Sequence, residues 1–233
     1  MILLFLVSIC FGLPNEDEYF QRIVIGQTEL KRDIIVEQFG DGEEVVAIIS
    51  SIHGNETIGT PLLFRFLQEG GVSNLDGRTV FLLYVANPDG YVLGMRGNSN
   101  NIDINRNLPT ENFGRGIFNG KEPLSAIEST ALIGFFEEYQ PDRTLIIHQP
   151  LSGIDYDGAS KDLAEHLSAK SGIRIKRLGA RSGSIGSYLS LGLKKQVVTL
   201  EVPERYSKMS MDLVCEKYCI LLTEFVTYSP REG

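Results

Sequence analysis

Val45-Val46-Ala47-Ile48-Ile49-Ser50-Ser51-Ile52-His53-Gly54-Asn55-Glu56 is the stretch that decides how this chain is read. Its first five residues are continuously apolar and mostly β-branched, as in a strand covered on both faces rather than one. A strand of that kind needs helices above and below it, and a helical pattern over Thr57–Gln68 begins directly after the polar residues that end the run. The same alternation runs outward in both directions. Strand-like runs at Ile34–Phe39, Glu44–Ile52, Arg78–Ala86, Thr144–His148 and Gln196–Val202 alternate with helical patterns at Thr57–Gln68, Ser125–Tyr139, Ala159–Ser171 and Met209–Tyr228. Ser125 and Glu128 have capping-box spacing ahead of the apolar Leu132, Ile133, Phe135 and Phe136, which marks a helix start there. No Pro/Gly/Ser linker divides the chain, so the expected fold is a single-domain α/β three-layer sandwich over residues 20–230, with a mixed, mostly parallel sheet flanked by helices. In such sheets ligands bind where strands end and loops begin.

Composition narrows the function. The 233 residues are ample for a full core. A net charge of −8, with no basic cluster longer than Lys194-Lys195, supports no nucleic-acid partner. Three cysteines cannot build a disulfide framework, and Cys215 and Cys219, one helical turn apart in an apolar stretch, are expected to pack in the core. Met1–Leu13 is an apolar run too short to span a bilayer, followed by Pro14 and the acidic Asn15–Glu18. It reads as a signal peptide, although the first basic residue is Arg22 and no positive n-region precedes it. The expectation is a secreted or periplasmic protein with no stable membrane insertion.

The polar residues at the strand ends are of ligand and catalytic types. His53 and Glu56 stand three apart on a strand-to-helix loop; imidazole nitrogen and carboxylate oxygen both suit Zn2+, and a catalytic zinc takes three protein ligands with one position open. Of the three histidines, His148 also ends an apolar strand, whereas His166 lies in a helical pattern beside Glu165 and reads as a solvated helix residue. Asn105-Arg106, within Ile102–Pro109 and preceded by Gly94-Met95-Arg96-Gly97, has the planar fork and amide that capture a carboxylate, or else belongs to an Asn-rich turn. Glu201 closes the apolar run Gln196–Leu200, and an acid there is either a paired core charge or a catalytic base.

These elements, HGNE, MRGN, DINRNLP, the strand ending in His148 and LEVPE, stand in this order between Val45 and Pro203. In that order they resemble the zinc carboxypeptidases of the funnelin type. The short form, with HQPLSGIDYDG after His148, resembles the bacterial murein peptide amidases that cut γ-D-glutamyl–diaminopimelate bonds. The resemblance implies Zn2+ held by His53, Glu56 and His148, with Asn105 and Arg106 on the substrate's terminal carboxylate. It also implies that Arg96 polarises the scissile carbonyl and that Glu201 is general base and acid.

The chain departs from the digestive members of that family. Arg177–Arg181 holds no tyrosine where they carry one, which leaves Tyr188 as the nearest candidate, and Ile185 falls near the specificity-pocket position, against a pocket built simply for Lys or Arg. Asp155 and Asp157 put two carboxylates just after His148, where they either recognise an ammonium group or cap a helix starting near Ala159. The expected function is a zinc metallopeptidase that hydrolyses the bond next to a C-terminal residue of a peptide substrate, γ-D-glutamyl–diaminopimelate in peptidoglycan peptides. The alternatives are a zinc deacylase of the aspartoacylase or succinylglutamate desuccinylase type, and an inactive peptidoglycan-binding module.

Overall fold

Apolar runs long enough to cross the molecule become the central strands of one sheet. A computed structural model describes residues 20–229, and the signal-peptide reading of Met1–Leu13 lies outside them. The strands are β1 (Phe20–Gln27), β2 (Asp33–Phe39), β3 (Glu44–Ser50), β4 (Arg78–Leu83), β5 (Arg143–His148), β6 (Gly153–Asp157) and β7 (Gln196–Glu201). Their order across the sheet is β1-β2-β4-β3-β5-β7-β6. The central β4, β3, β5 and β7 are parallel, and β2 and β6 flank them antiparallel. From β3 the chain winds first toward β4 and then across to β5, so the sheet has its topological switch point between β3 and β5. Loops diverge above such a point and leave a crevice at the carboxyl ends of the strands.

The helices α1 (Gly59–Gln68), α2 (Pro88–Leu93), α3 (Ile127–Tyr139), α4 (Lys161–Ser171), α5 (Ile185–Ser187) and α6 (Met211–Thr227) complete the chain. Both faces of the central strands are buried, as the unbroken apolar runs require. On one face Ile48, Leu145, Val198 and Leu200 pack against α1, α4 and α6. On the other Ala47, Ile49, Ile146 and Val197 pack against α3 and the α5 turn. The result is the expected three-layer sandwich. At the amino ends of the strands, Arg143 is buried, donates to the Phe225 and Val226 carbonyls at 3.0 and 2.9 Å, and pairs with Glu44, pinning the end of α6 under the sheet. Among the described residues no helix is long and apolar enough to cross a membrane.

Several local expectations are corrected. β1 was not expected as a strand. It is an edge strand with a register shift between Val24 and Gly26, and it is largely exposed, so its sequence lacks a buried-strand pattern. β6 is also absent from the strand-like runs, because Asp155 and Asp157 interrupt its apolar residues. Pairing with β7 makes it a strand. α3 starts at Ile127, and its Ser125–Glu128 box does not form. Asn107 reaches in from another loop instead, accepting the Ala126 N–H at 2.9 Å, while Glu128 accepts from Asn98 at 2.8 Å. Cys215 and Cys219 do face the core, and they are joined as a disulfide.

Candidate metal centre

His53 follows the end of β3, and the loop that carries it is held by close backbone contact with α2. A Cβ on Gly54 would sit 2.0 Å from the Gly90 carbonyl carbon, so only glycine fits, and the Gly54 N–H donates to the Arg96 carbonyl at 3.2 Å. This brings the HGNE loop and the MRGN segment side by side. His148, the last residue of β5, rises from the other side of the switch point.

The three expected ligands converge. One ligand atom each from His53, Glu56 and His148 lie within 4.8 Å of one another, and all three residues are buried. Nδ1 of His53 and Nδ1 of His148 each lie 2.7 Å from a different Glu56 oxygen. Their outer nitrogens are held elsewhere: His53 Nε2 donates to Asp103 at 3.2 Å, and Asn105 Nδ2 donates to His148 Nε2 at 3.3 Å. Two imidazoles and a carboxylate, turned toward one point by outer partners, are the donor set of a catalytic zinc site.

The electrostatics agree with a cation there. Burial works against the His53 imidazolium, but hydrogen bonds to Asp103 and Glu56 outweigh it and raise its pKa. Burial likewise opposes the charged forms of Glu56 and Asp103, but His148 and His53 outweigh it at Glu56, and His53 with Arg96 and Arg106 outweighs it at Asp103. These partners hold Glu56 well below the usual carboxylate range and Asp103 at about 2. A metal bound by His53 therefore competes with a proton there.

Asp103, in the DINRNLP motif, supports His53 from outside the ligand set. Its position two residues before Asn105 is the only sequence signal for it, since support of a ligand becomes visible only once the loop meets His53. Asp103→Asn is expected to weaken zinc binding by roughly 10- to 100-fold, read by competition with a chelator. Unchanged affinity would make that carboxylate a bystander.

Of the remaining expected residues, Arg96, Asn105, Arg106, Asp155, Asp157 and Glu201 line one cleft beside the centre, with a volume of about 310 Å³. Glu201 ends β7 directly across from His148 on β5 and Gly153 on β6, and its Oε2 accepts the Leu151 N–H at 3.3 Å. Burial raises its pKa, with Glu56 adding to this and His148 opposing it. A carboxyl group shifted in this direction is better matched to exchanging protons with the attacking water and the leaving group. Arg96 donates to Glu56 at 3.2 Å and to Asp103 at 3.0 Å, with its side chain half exposed at the mouth. Asn105 is fixed by the Ile185 N–H at 2.9 Å, and Arg106 donates to the Asn105 carbonyl at 2.6 Å. Burial, Arg96 and Arg181 all push the Arg106 pKa down against the pull of Asp103.

Asp155 and Asp157 occupy alternate positions of β6 and both face the cleft. They do not cap α4, whose N-cap is Ser160, with the Ser160 hydroxyl donating to the Asp157 carbonyl at 2.7 Å. Two expectations are overturned by packing. The Ile185 side chain is fully buried in the core on the α3 face, and only its backbone serves the site, while Ser184 and Gly186 on either side of it line the cleft. Tyr188 is a core residue near Phe136, with ring centroids 6.3 Å apart, and is not a cleft residue. His166 lies on α4 bonded to Glu224 at 2.8 Å, away from the centre as expected.

Residues 15–156 match the zinc carboxypeptidase family model. Murein peptide amidase A of Escherichia coli K12 is 27% identical over 204 residues, which cover 80% of this chain and 81% of that protein. The crystal structure of murein-tripeptide amidase from Escherichia coli O157 superposes with a TM-score of 0.75 at 24% identity, over 91% of this chain and 93% of that one. Bovine thrombin-activatable fibrinolysis inhibitor superposes with a TM-score of 0.72 at 19% identity, over 89% of each chain.

Proposed function

Because the chain belongs to the zinc carboxypeptidase family and is a zinc-dependent peptide-bond hydrolase, we propose that it cleaves γ-D-glutamyl–diaminopimelate bonds in peptidoglycan peptides, with the leaving residue's side-chain amine read by Asp157. The observation that carries this is the state of that carboxylate. Asp157 is 7% exposed and faces the cleft, and its side-chain carboxylate makes no hydrogen bond or ion pair among the described residues. Gly186 leaves room for it, since a Cβ there would lie 2.1 Å from Asp157 Oδ2. Asp155 is already engaged: its Oδ2 accepts the Gly179 N–H at 3.1 Å and its Oδ1 lies 3.4 Å from Arg177 Nε. A buried carboxylate without a partner is costly unless a ligand supplies one. The murein amidase likeness supports the same class of substrate.

In this reading His53, Glu56 and His148 hold the zinc. When bound, it supplies Lewis acidity toward the scissile carbonyl and an acidified water. Arg106 and Asn105 grip the terminal carboxylate and orient the bond. Arg96 stabilises negative charge developing on the carbonyl oxygen, a contribution of about 3 kcal/mol for one donor in comparable sites. Glu201 takes the proton of the attacking water and delivers it to the leaving nitrogen. No feature of the cleft favours the deacylase or the inactive module. A signal peptide at Met1–Leu13 would bring the enzyme to a substrate outside the cytoplasm, and N-terminal sequencing of the mature protein tests it.

The substrate reading is tested by mass spectrometry of products from a muropeptide mixture, alongside γ-D-glutamyl peptides ending in diaminopimelate or in an uncharged residue. Asp157→Asn is expected to lower cleavage of the amine-bearing substrate roughly 10- to 100-fold relative to the neutral one, and Asp155→Asn by less. Burial and the Asp155 charge push the Asp157 pKa up to about 6. Its carboxylate is therefore present above that pH and lost below it, so KM for the amine-bearing substrate should fall as pH rises through 6. Equal losses on both substrates would leave the aspartates structural and overturn the amine reading.

A further inference from the structure

Arg181 lines the same cleft and has no part in the function described so far. We infer that Arg181 receives a carboxylate at the far end of the leaving residue's side chain, so that with Asp157 it recognises a side chain ending in an amino-acid zwitterion and discriminates against plain lysine. This deepens the substrate reading above and rests on it.

The other arginines around the cleft have partners. Arg96 is bound to Glu56 and Asp103, Arg106 to the Asn105 carbonyl, and Arg177 lies beside Asp155 and 3.6 Å over the Tyr156 ring. The Arg181 guanidinium is exposed and makes no hydrogen bond or ion pair among the described residues. It is nonetheless close enough to Arg106 for the two positive charges to oppose each other. Two like charges held beside one cavity favour anions, and Arg106 accounts for only the terminal carboxylate.

The backbone ties this free cation to the turn that abuts the free anion. The Arg181 carbonyl accepts from the Ser184 N–H at 3.1 Å and the Ser187 hydroxyl at 2.7 Å, so Arg181 is fastened to the α5 turn. Gly186 of that same turn abuts the Asp157 carboxylate. Groups of opposite sign thus border one part of the cleft without pairing with each other. A ligand that presents an ammonium and a carboxylate on one carbon satisfies both. A lysine side chain satisfies Asp157 alone and leaves Arg181 empty, and an aliphatic one satisfies neither. The meso-diaminopimelate side chain ends in the required pair of groups.

The test compares kcat/KM of the zinc-loaded protein on γ-D-glutamyl peptides ending in meso-diaminopimelate, lysine and norleucine. The wild type is expected to prefer them in that order. Arg181→Gln is expected to lower the diaminopimelate-to-lysine ratio roughly 10- to 100-fold, the worth of one hydrogen bond to a charged group. Asp157→Asn should lower both charged substrates against norleucine, and Arg181→Lys should restore part of the lost ratio. Inhibition by free meso-diaminopimelate and by free lysine gives the same ratio without turnover. An unchanged ratio in Arg181→Gln, with the wild type still favouring charged side chains over norleucine, overturns the role of Arg181 alone. A wild type that cleaves the norleucine peptide as well as the others overturns the underlying substrate reading.

Discussion

Glu201→Gln is expected to keep its fold and its zinc while losing roughly 10²- to 10⁴-fold in kcat, the usual contribution of a positioned general acid–base. The amide is nearly isosteric, and its oxygen can still accept the Leu151 N–H that now reaches Glu201 Oε2 at 3.3 Å. What it cannot do is take a proton. The carboxylate stands across from His148 in the strand ladder, where burial and Glu56 raise its pKa against the pull of His148. That tuning serves proton transfer, because it narrows the gap between the group and its working pH. The measurement is kcat on a γ-D-glutamyl–diaminopimelate peptide, with zinc content determined on the same sample. Activity within tenfold of wild type would assign the base to another group.

His148→Ala is expected to abolish stoichiometric zinc and, with it, hydrolysis. One of three protein donors disappears, and Glu56 Oε2 is left with the Gln149 N–H as its remaining partner. The loss of affinity should exceed the roughly 10- to 100-fold expected when only a supporting carboxylate is removed, which separates this variant from Asp103→Asn. In the wild type, zinc displaces a proton from His53, whose pKa the flanking carboxylates raise. Affinity should therefore climb as pH rises through that raised value. Metal analysis after dialysis at neutral pH decides the matter, and near-stoichiometric zinc in His148→Ala would remove this histidine from the ligand set.

How much of this is legible in the sequence varies with the kind of interaction. The continuous apolar runs determine both faces of β3, β5 and β7 because a strand buried on both sides has no room for polar side chains. The same runs locate His53, His148 and Glu201, which are conspicuous as the polar residues that end them. Residue chemistry alone then narrows the site to metal, carboxylate and base. Elements held by pairing rather than by their own hydrophobicity stayed hidden. β1 is an exposed edge and β6 alternates acids with apolar residues, so neither carries a periodic signal strong enough to stand alone.

The sequence by itself therefore determined the layer architecture, the ligand types and the place of the cleft, since burial pattern and donor chemistry are properties of short stretches. Tertiary structure alone decided the rest. Asp103 supports His53 across 50 residues, Asn107 caps α3 from 19 residues away, and Arg181 shares its turn with the glycine that abuts Asp157. It also turned Ile185 and Tyr188 into the core and left the Asp157 carboxylate without a partner. The physical reason is that a side chain's direction and its partner depend on which distant segment the sheet order brings beside it, and no local pattern carries that information.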